Sequence, residues 1–405
     1  PIVIIPTMFW VLVLGFCVTT TRANEACWES PVLCPPALSA THSTTKLSSA
    51  RRNTGAAVVG KHAVFVGGCD NTGTSPFTQF VCDSPSGAVD VFNSDGSLNY
   101  TVHLSEKRGW VATCALGNSV VMAGGGVKGT QPHSRAAEIL DVVSGEIVVN
   151  STALSSGRWG VSCAAVGSNV FFPGGKVTIS GYDNAYMTDV IDVYSPFQGW
   201  SQTPYNLSSP RESTTAAAVG GALLVAGGWT KTKNNYHAVD GVDIFTGVSG
   251  SGAVARKTVN LDSVAYDVGG ITIDDLVYVV GNLDISTYNA DGLVSKQPLP
   301  SSMTGPPSNN TSGGAIPSSH VPQNGVTVTS ANGTVLACFY GREADGPYLY
   351  CYDVEDKKWV TRLQCSAYHQ GGSIVSVGSS VWVAAGFDPT DKYSPATDIV
   401  DIFTF

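Results

Sequence analysis

A chain of 405 residues with only 13% charged side chains and 45 glycines is too apolar for a disordered polypeptide and too rich in turn formers for a helical one. Its net charge of −9 argues against nucleic acid or an anionic membrane surface as partner. The length by itself suggests two or three ordinary domains, an expectation that an internal repeat overrules.

In chain order, residues 8–23 come first: Met8-Phe-Trp-Val-Leu-Val-Leu-Gly-Phe, then a small-residue site ending at Ala23. They read as a secretory signal without a basic n-region, and residues 1–7 are expected to lie upstream of the start at Met8. The apolar run of about 11 residues is too short to span a bilayer, so secretion without stable membrane insertion is expected. Residues 24–36 form a short extension carrying Cys27 and Cys34. Sequons at Asn99, Asn150, Asn206, Asn309, Asn310 and Asn332 fit that route, with crowding allowing only one of Asn309 and Asn310 to be modified.

From residue 37 onward the sequence repeats. An aspartate flanked by branched or aromatic residues recurs as Val89-Asp90-Val91-Phe92, Leu140-Asp141-Val142-Val143, Ile191-Asp192-Val193-Tyr194, Val242-Asp243-Ile244-Phe245 and Val400-Asp401-Ile402-Phe403. The spacings are 51, 51, 51 and then 158 residues. Glycine pairs follow apolar runs at Gly67-Gly68, Gly124-Gly125, Gly174-Gly175 and Gly227-Gly228. Each unit opens on Leu-Ser-x-x-Arg, ending at Arg51, Arg108, Arg158 and Arg211. Later units are degraded: Ala265-Tyr266-Asp-Val-Gly-Gly270 parallels Ala367-Tyr368-His369-Gln-Gly-Gly372, and the sixth copy reaches Tyr352-Asp353-Val354 and Trp359. Each unit reads as four short strands, a to d, bounded by glycine, asparagine and serine.

The arginine, the double glycine, the strand-c aspartate and the strand-d tryptophans Trp200 and Trp359 together resemble the kelch repeat, over residues 37–405. That resemblance implies an all-β fold, a seven-bladed β-propeller of four-stranded antiparallel blades. The span from Asp90 to Asp401 fits seven copies, and the last ends at Phe405 without a strand d. Residues 37–46 are therefore expected to complete the last blade and close the ring. The fold is uninformative about function, because kelch propellers serve binding and catalysis alike.

Ten cysteines fit an oxidising compartment. Cys69–Cys82 and Cys338–Cys351, each 13 residues apart, are predicted disulfides within blades, and Cys34 or Cys27 with Cys365 would fasten the closure. Cys114 and Cys163 can either bridge neighbouring blades or be two buried thiols; the thiols are the favoured reading.

The long b–c connections, residues 69–88, 126–137, 175–188 and 229–240, open on one face, and the resemblance places ligands there, over the central channel. Arg52, Trp110, Trp159, Trp229, Tyr266, Tyr368 and His369 are the candidate ligand-binding residues: aromatics to stack on sugars and a guanidinium to grip an anion. The resemblance assigns the first arginines, Arg51, Arg108, Arg158 and Arg211, a structural role between blades. No metal, nucleophile-elbow or phosphate-loop motif is present and no cofactor is implied. The leading expectation is a secreted binding module for an extracellular glycan or protein. The alternative is an enzyme working in the channel: a lyase or isomerase, or a copper-radical oxidase like galactose oxidase, whose tyrosine–histidine pair Tyr368-His369 resembles.

Overall fold

The computed structural model describes residues 38–70, 82, 84–128, 133–178, 185–232, 235–249, 253–265, 269–280, 284–298, 323–343, 346–388 and 395–405. They belong to one compact unit, Ala37–Phe405. The signal segment, Cys27, Cys34, Tyr266, Asn309 and Asn310 lie outside the described residues.

Among the described residues the fold is all-β, with eight antiparallel sheets, mostly four-stranded. Sheet 1 comprises Gly55–Val59, His62–Val66, Ala88–Phe92 and Leu98–His103. Sheet 2 comprises Ala112–Leu116, Ser119–Ala123, Ala137–Asp141 and Ile147–Asn150. Sheet 3 is formed by Ala164–Val166, Asn169–Pro173, Ile191–Ser195 and Gly199–Gln202. Sheet 4 holds Thr215–Val219, Ala222–Ala226, Asn235–Thr246 and Ala255–Ala265, with Trp229–Thr232 added as a hairpin on its third strand. Sheet 5 contains Gly269–Ile273, Leu276–Val280, Asp284–Asn289 and Gly292–Pro298, and sheet 6 contains Gln323–Thr329, Val335–Glu343, Gly346–Asp353 and Lys358–Gln364. Sheet 7 takes Ser373–Val377, Ser380–Ala384 and Ile399–Thr404 from the end of the chain and Thr41–Lys46 from its beginning. In that last pair Thr41 faces Thr404 and Lys46 faces Ile399, so the expected pairing of the first strand with the last is present. The eighth sheet is small: Arg158–Trp159, Lys176–Thr178 and Ala185–Met187.

Side-chain pattern explains the layering. The second and third strands of sheet 1 are buried almost throughout, whereas the fourth, Leu98–His103, is largely exposed. Central strands covered on both faces read as continuous branched apolar runs, and peripheral ones do not. Apolar clusters lie between consecutive sheets. Val64, Val89 and Val91 of sheet 1 meet Val120 and Leu140 of sheet 2. Similar clusters join sheets 2 and 3, 3 and 4, 4 and 5, and 6 and 7. Another joins sheet 7 to sheet 1, where Trp382 and Val400 pack against Phe65 and Phe92. The first strand of each sheet lies against the first strand of the next, and Ser373–Val377 lies against Gly55–Val59. With each fully buried Val, Leu or Phe side chain contributing about 1.5–3 kcal/mol, these clusters between sheets are the core.

The glycine pairs occupy backbone that other residues avoid. Gly68, Gly125, Gly175, Gly228 and Gly386 have φ between 98° and 112°, and a Cβ on Gly68 would stand 2.8 Å from the Arg52 carbonyl oxygen. In sheet 7 the pair is Ala385-Gly386, with Ala385 at φ 63°.

Among the described residues three disulfides are formed: Cys69–Cys82, Cys338–Cys351 and Cys114–Cys163. The first two match expectation. The third corrects the reading of Cys114 and Cys163 as thiols: their Cα atoms are 6.1 Å apart, within bridging reach, because the first strands of sheets 2 and 3 are neighbours. Cys365 carries a free, buried thiol. Intramolecular disulfides in this number are typical of extracellular proteins. Replacing Cys114 and Cys163 by serine should lower unfolding free energy by up to about 4 kcal/mol, the chain-entropy value for a loop of that length. Urea unfolding checks this, and non-reducing peptide mapping should recover the Cys114 and Cys163 peptides as one species.

Candidate functional site

The arginines and aspartates meet as buried anchors. Arg51 Nη2 stands 2.6 Å from Asp90, Arg158 Nη2 2.5 Å from Asp192 and Arg211 Nη2 2.6 Å from Asp243, every side chain at most 1% exposed. Arg108 pairs likewise with Glu138. The serine three residues before each arginine donates its backbone N–H to the same carboxylate: Ser48, Ser105, Ser155 and Ser208. Burial lowers the pKa of Arg51, Arg158 and Arg211, and the paired carboxylates oppose it. The arginine carbonyl accepts from the second glycine of the preceding sheet: Gly386 to Arg51, Gly68 to Arg108, Gly125 to Arg158 and Gly175 to Arg211. Each arginine thus closes its own sheet and ties it to the one before.

Register corrects one member of the aspartate series. Phe65 faces Asp90, and the corresponding pair in sheet 2 is Met122 with Glu138, not Asp141. Asp141 instead caps the c–d turn, accepting from the N–H groups of Val143 and Ser144, and Asp353 does the same for Glu355 and Asp356. The regular spacing through Asp141 joined residues of two different roles. In sheet 5, Ser286 stands opposite Val279 where an aspartate would be, and the chain has no opening arginine there, so neither charge is left unmatched.

Sheet 7 keeps the anchor with other residues. Cys365-Ser366-Ala367-Tyr368-His369 occupies the Leu-Ser-x-x-Arg positions: Cys365 is 4% exposed, as Leu47 is, and Ser366 donates to Asp401. His369 takes the place of the arginine, with Nε2 2.7 Å from Asp401 and Nδ1 2.6 Å from the Ala385 carbonyl. Both partners are acceptors, so the ring donates from both nitrogens and serves as the cation. Burial pushes the Asp401 carboxyl up, but bonds from His369, Ser366 and His42 outweigh that and bring it down to about 2. His42, on the first strand, reaches Asp401 at 2.6 Å and stacks on Phe403.

Cys365 therefore does for sheet 7 what a buried leucine does elsewhere, as a thiol whose pKa burial and then Asp401 push up; Cys27 and Cys34, the partners of its expected bond, lie outside the described residues. Tyr368 precedes the anchor and His369 is inside it, 2% exposed. Neither lies where Arg52 lies in sheet 1: Gln370 does, one residue after His369 and two after Tyr368.

The residues after each anchor build the rim that carries the b–c connections. The residue following the arginine bridges to the one following the glycine pair: Arg52 to Cys69, Gly109 to Gly126, Trp159 to Lys176, Glu212 to Trp229 and, in sheet 7, Gln370 to Phe387. The next residue turns left-handed in all five units: Asn53, Trp110, Gly160, Ser213 and Gly371 have φ between 53° and 66°. Their amides and carbonyls link successive units, Asn53 N–H to Gly371, Trp110 N–H to Asn53 and Ser213 N–H to Gly160.

The aromatic candidates fall in two groups. Arg52, 4% exposed, lays its guanidinium over Phe387, 4.7 Å from the ring centre. Trp110 and Trp159 are half-buried neighbours with ring centres 4.8 Å apart. Trp110 rests over Gly126, whose Cβ would approach the indole to 3.2 Å. His133 meets Trp159 edge-on, and Lys176 Nζ lies 5.2 Å from Trp159 and 5.3 Å from Tyr236. Trp229 is half-buried and opens the hairpin that carries Tyr236. Lys176, His133, Tyr236, Gln370 and Phe387 were not legible as site residues; the register after the glycine pair would have found Lys176 and Phe387. A tryptophan in the left-handed region costs of order 1–2 kcal/mol, and such strain clusters at functional positions.

Among the described residues no group of three His, Cys, Asp or Glu side chains can hold a metal ion. His369 has both ring nitrogens engaged and none left for copper. Asn99, Asn150, Asn206 and Asn332 are all exposed.

Two outcomes test this geometry. Arg158→Met should cost about 3–5 kcal/mol by stranding Asp192 in the core. Adding Asp192→Leu should restore part of it, not all, since Ser155 loses its acceptor; denaturant unfolding reads both. The second outcome concerns pH. Burial, then the charge of Lys176, lowers the His133 pKa from 6.5 to about 4. Between those values the unfolded chain binds more protons, so stability falls as pH drops from 6.5 to 4. His133→Gln should shrink that loss, whereas the contribution of Asp401 is lost only below pH 3.8, toward about 2.

Comparison with protein-family models and with curated proteins returns no match for this chain.

Proposed function

We propose that this chain is a secreted kelch-type propeller of seven blades that acts as an extracellular binding module, engaging a glycan, or a protein, through the rim of the b–c connections. The blade count rests on the seven large sheets and on the cycle of first-strand neighbours that returns from Ser373–Val377 to Gly55–Val59. Secretion is supported by the three disulfides and by the four exposed sequons.

One observation carries the binding reading. Trp110 is held in a strained backbone conformation beside Trp159, both partly open to solvent, with Tyr236 beyond them 44% exposed. Indole and phenol rings offer apolar faces with polar edges, which suit the C–H face and hydroxyls of a sugar ring. That chemistry favours the glycan over the protein. An enzyme remains the alternative, but the Tyr368-His369 pair offers it little, since His369 is committed to Asp401 and Ala385.

A glycan array probed with the purified protein should give a reproducible set of ligands, and Trp110→Ala with Trp159→Ala should abolish it while the melting transition persists. An array that stays blank, or a profile unchanged by both substitutions, would overturn the glycan reading; an extracellular pull-down that is sensitive to the same substitutions would then point to a protein.

A further inference from the structure

Lys176 differs from the four anchor arginines, which are at least as deeply buried. Arg51, Arg108, Arg158 and Arg211 each carry a carboxylate from their own sheet. Lys176 is 7% exposed, yet among the described residues it faces no carboxylate, and its one side-chain hydrogen bond runs to Tyr236 Oη at 3.2 Å. The ammonium lies between the Trp159 and Tyr236 rings, where cation–π attraction offsets part of its desolvation. Tyr236 accepts that bond, so its own O–H is available to donate outward. Lys231 adds a second cation, 5.5 Å from the centre of the Tyr236 ring. His133, held by Thr178 at 2.8 Å and titrating near 4, adds no charge at neutral pH. The result is a concentrated positive pole beside two stacking indoles, on a chain of net charge −9.

We infer that Lys176, Tyr236, Trp159 and Trp110 form a subsite for a carboxylate-bearing sugar residue, the uronic acid type, within the glycan recognised by the rim. The inference rests on the glycan reading above and narrows its ligand class. The sugar ring lies against the indoles, and its carboxylate reaches the Lys176 ammonium and the Tyr236 hydroxyl. A carboxylate contact to a partly desolvated ammonium is worth more than the same contact in open water.

Titration calorimetry or ligand-observed NMR with methyl β-D-glucuronide and methyl β-D-glucoside, which differ at the carboxylate, tests it. The native protein should bind the glucuronide at least about tenfold more tightly, roughly the 1.4 kcal/mol expected of one charge-assisted contact, and added salt should erode that preference. Lys176→Met, which keeps the apolar volume, should bring the ratio close to one, and Trp110→Ala should weaken both sugars. Lys176→Gln provides the same reading if the methionine variant does not fold. Equal affinity for the two sugars, or a preference that survives loss of Lys176, overturns the subsite and leaves the glycan reading intact. Absence of binding to either sugar, with a positive array, also removes the subsite alone; a blank array removes both.

Discussion

A buried carboxylate shared between an arginine and a serine amide is the constraint on which the described architecture depends. Each arginine lies in the chain just before the first strand of a sheet, and its acid lies on the third strand of that sheet. The pair therefore fixes the entry of the chain against the sheet's centre. The arginine carbonyl, bonded to a glycine of the preceding sheet, sets one sheet against the next. Such a pair costs desolvation when formed, and breaking one side of it costs more, which is why both partners are kept or both are absent. Sheets 1 to 4 keep both, and sheet 5 has neither.

Sheet 7 shows that the anchor is defined by chemistry and position, not by residue type. A histidine whose two nitrogens face a carbonyl and a carboxylate acts as the cation, and a cysteine fills the space that leucine fills elsewhere. The additional contact from His42 brings the first strand into the same cluster, so the aspartate that completes sheet 7 also holds the segment that arrives from the beginning of the chain. The hydrogen bonds of that cluster, rather than the disulfides, secure this junction among the described residues.

The rim follows from the anchors. Because each arginine is fixed, the two residues after it are presented at the end of the sheet, in a left-handed turn whose amides and carbonyls connect unit to unit. A rigid backbone there frees the side chains to vary: arginine over phenylalanine on one side, tryptophans with lysine and tyrosine on another. Variation of side chains on an invariant frame is how scaffolds of repeated sheets acquire binding sites. It also explains why no local motif marks the proposed site, since Trp110 precedes sheet 2, Trp159 and Lys176 lie in the small eighth sheet and Tyr236 lies in sheet 4.

Strand content, the approximate repeat, the pairing of the first strand with the last and two of the three disulfides were readable in the sequence, because each depends on local alternation, on turn residues or on short separations. Trp110 and Trp159 were placed beside an anchor for the same reason, each following an arginine closely in the chain. What depended on register was not. Glu138 and Asp141 are three residues apart, and only the pairing of Met122 decides which one enters the core. The repeat put Cys114 and Cys163, 49 residues apart, on neighbouring units, but only their packing decides that they form a bridge and are not two thiols. Tyr368 and His369 looked like rim residues until the neighbours Ser366 and Asp401 showed that the histidine had replaced an arginine. The grouping of Lys176 with Trp159 and Tyr236 was also decided by tertiary structure alone, since a charge's partners are set by distances in space that the order of residues does not contain.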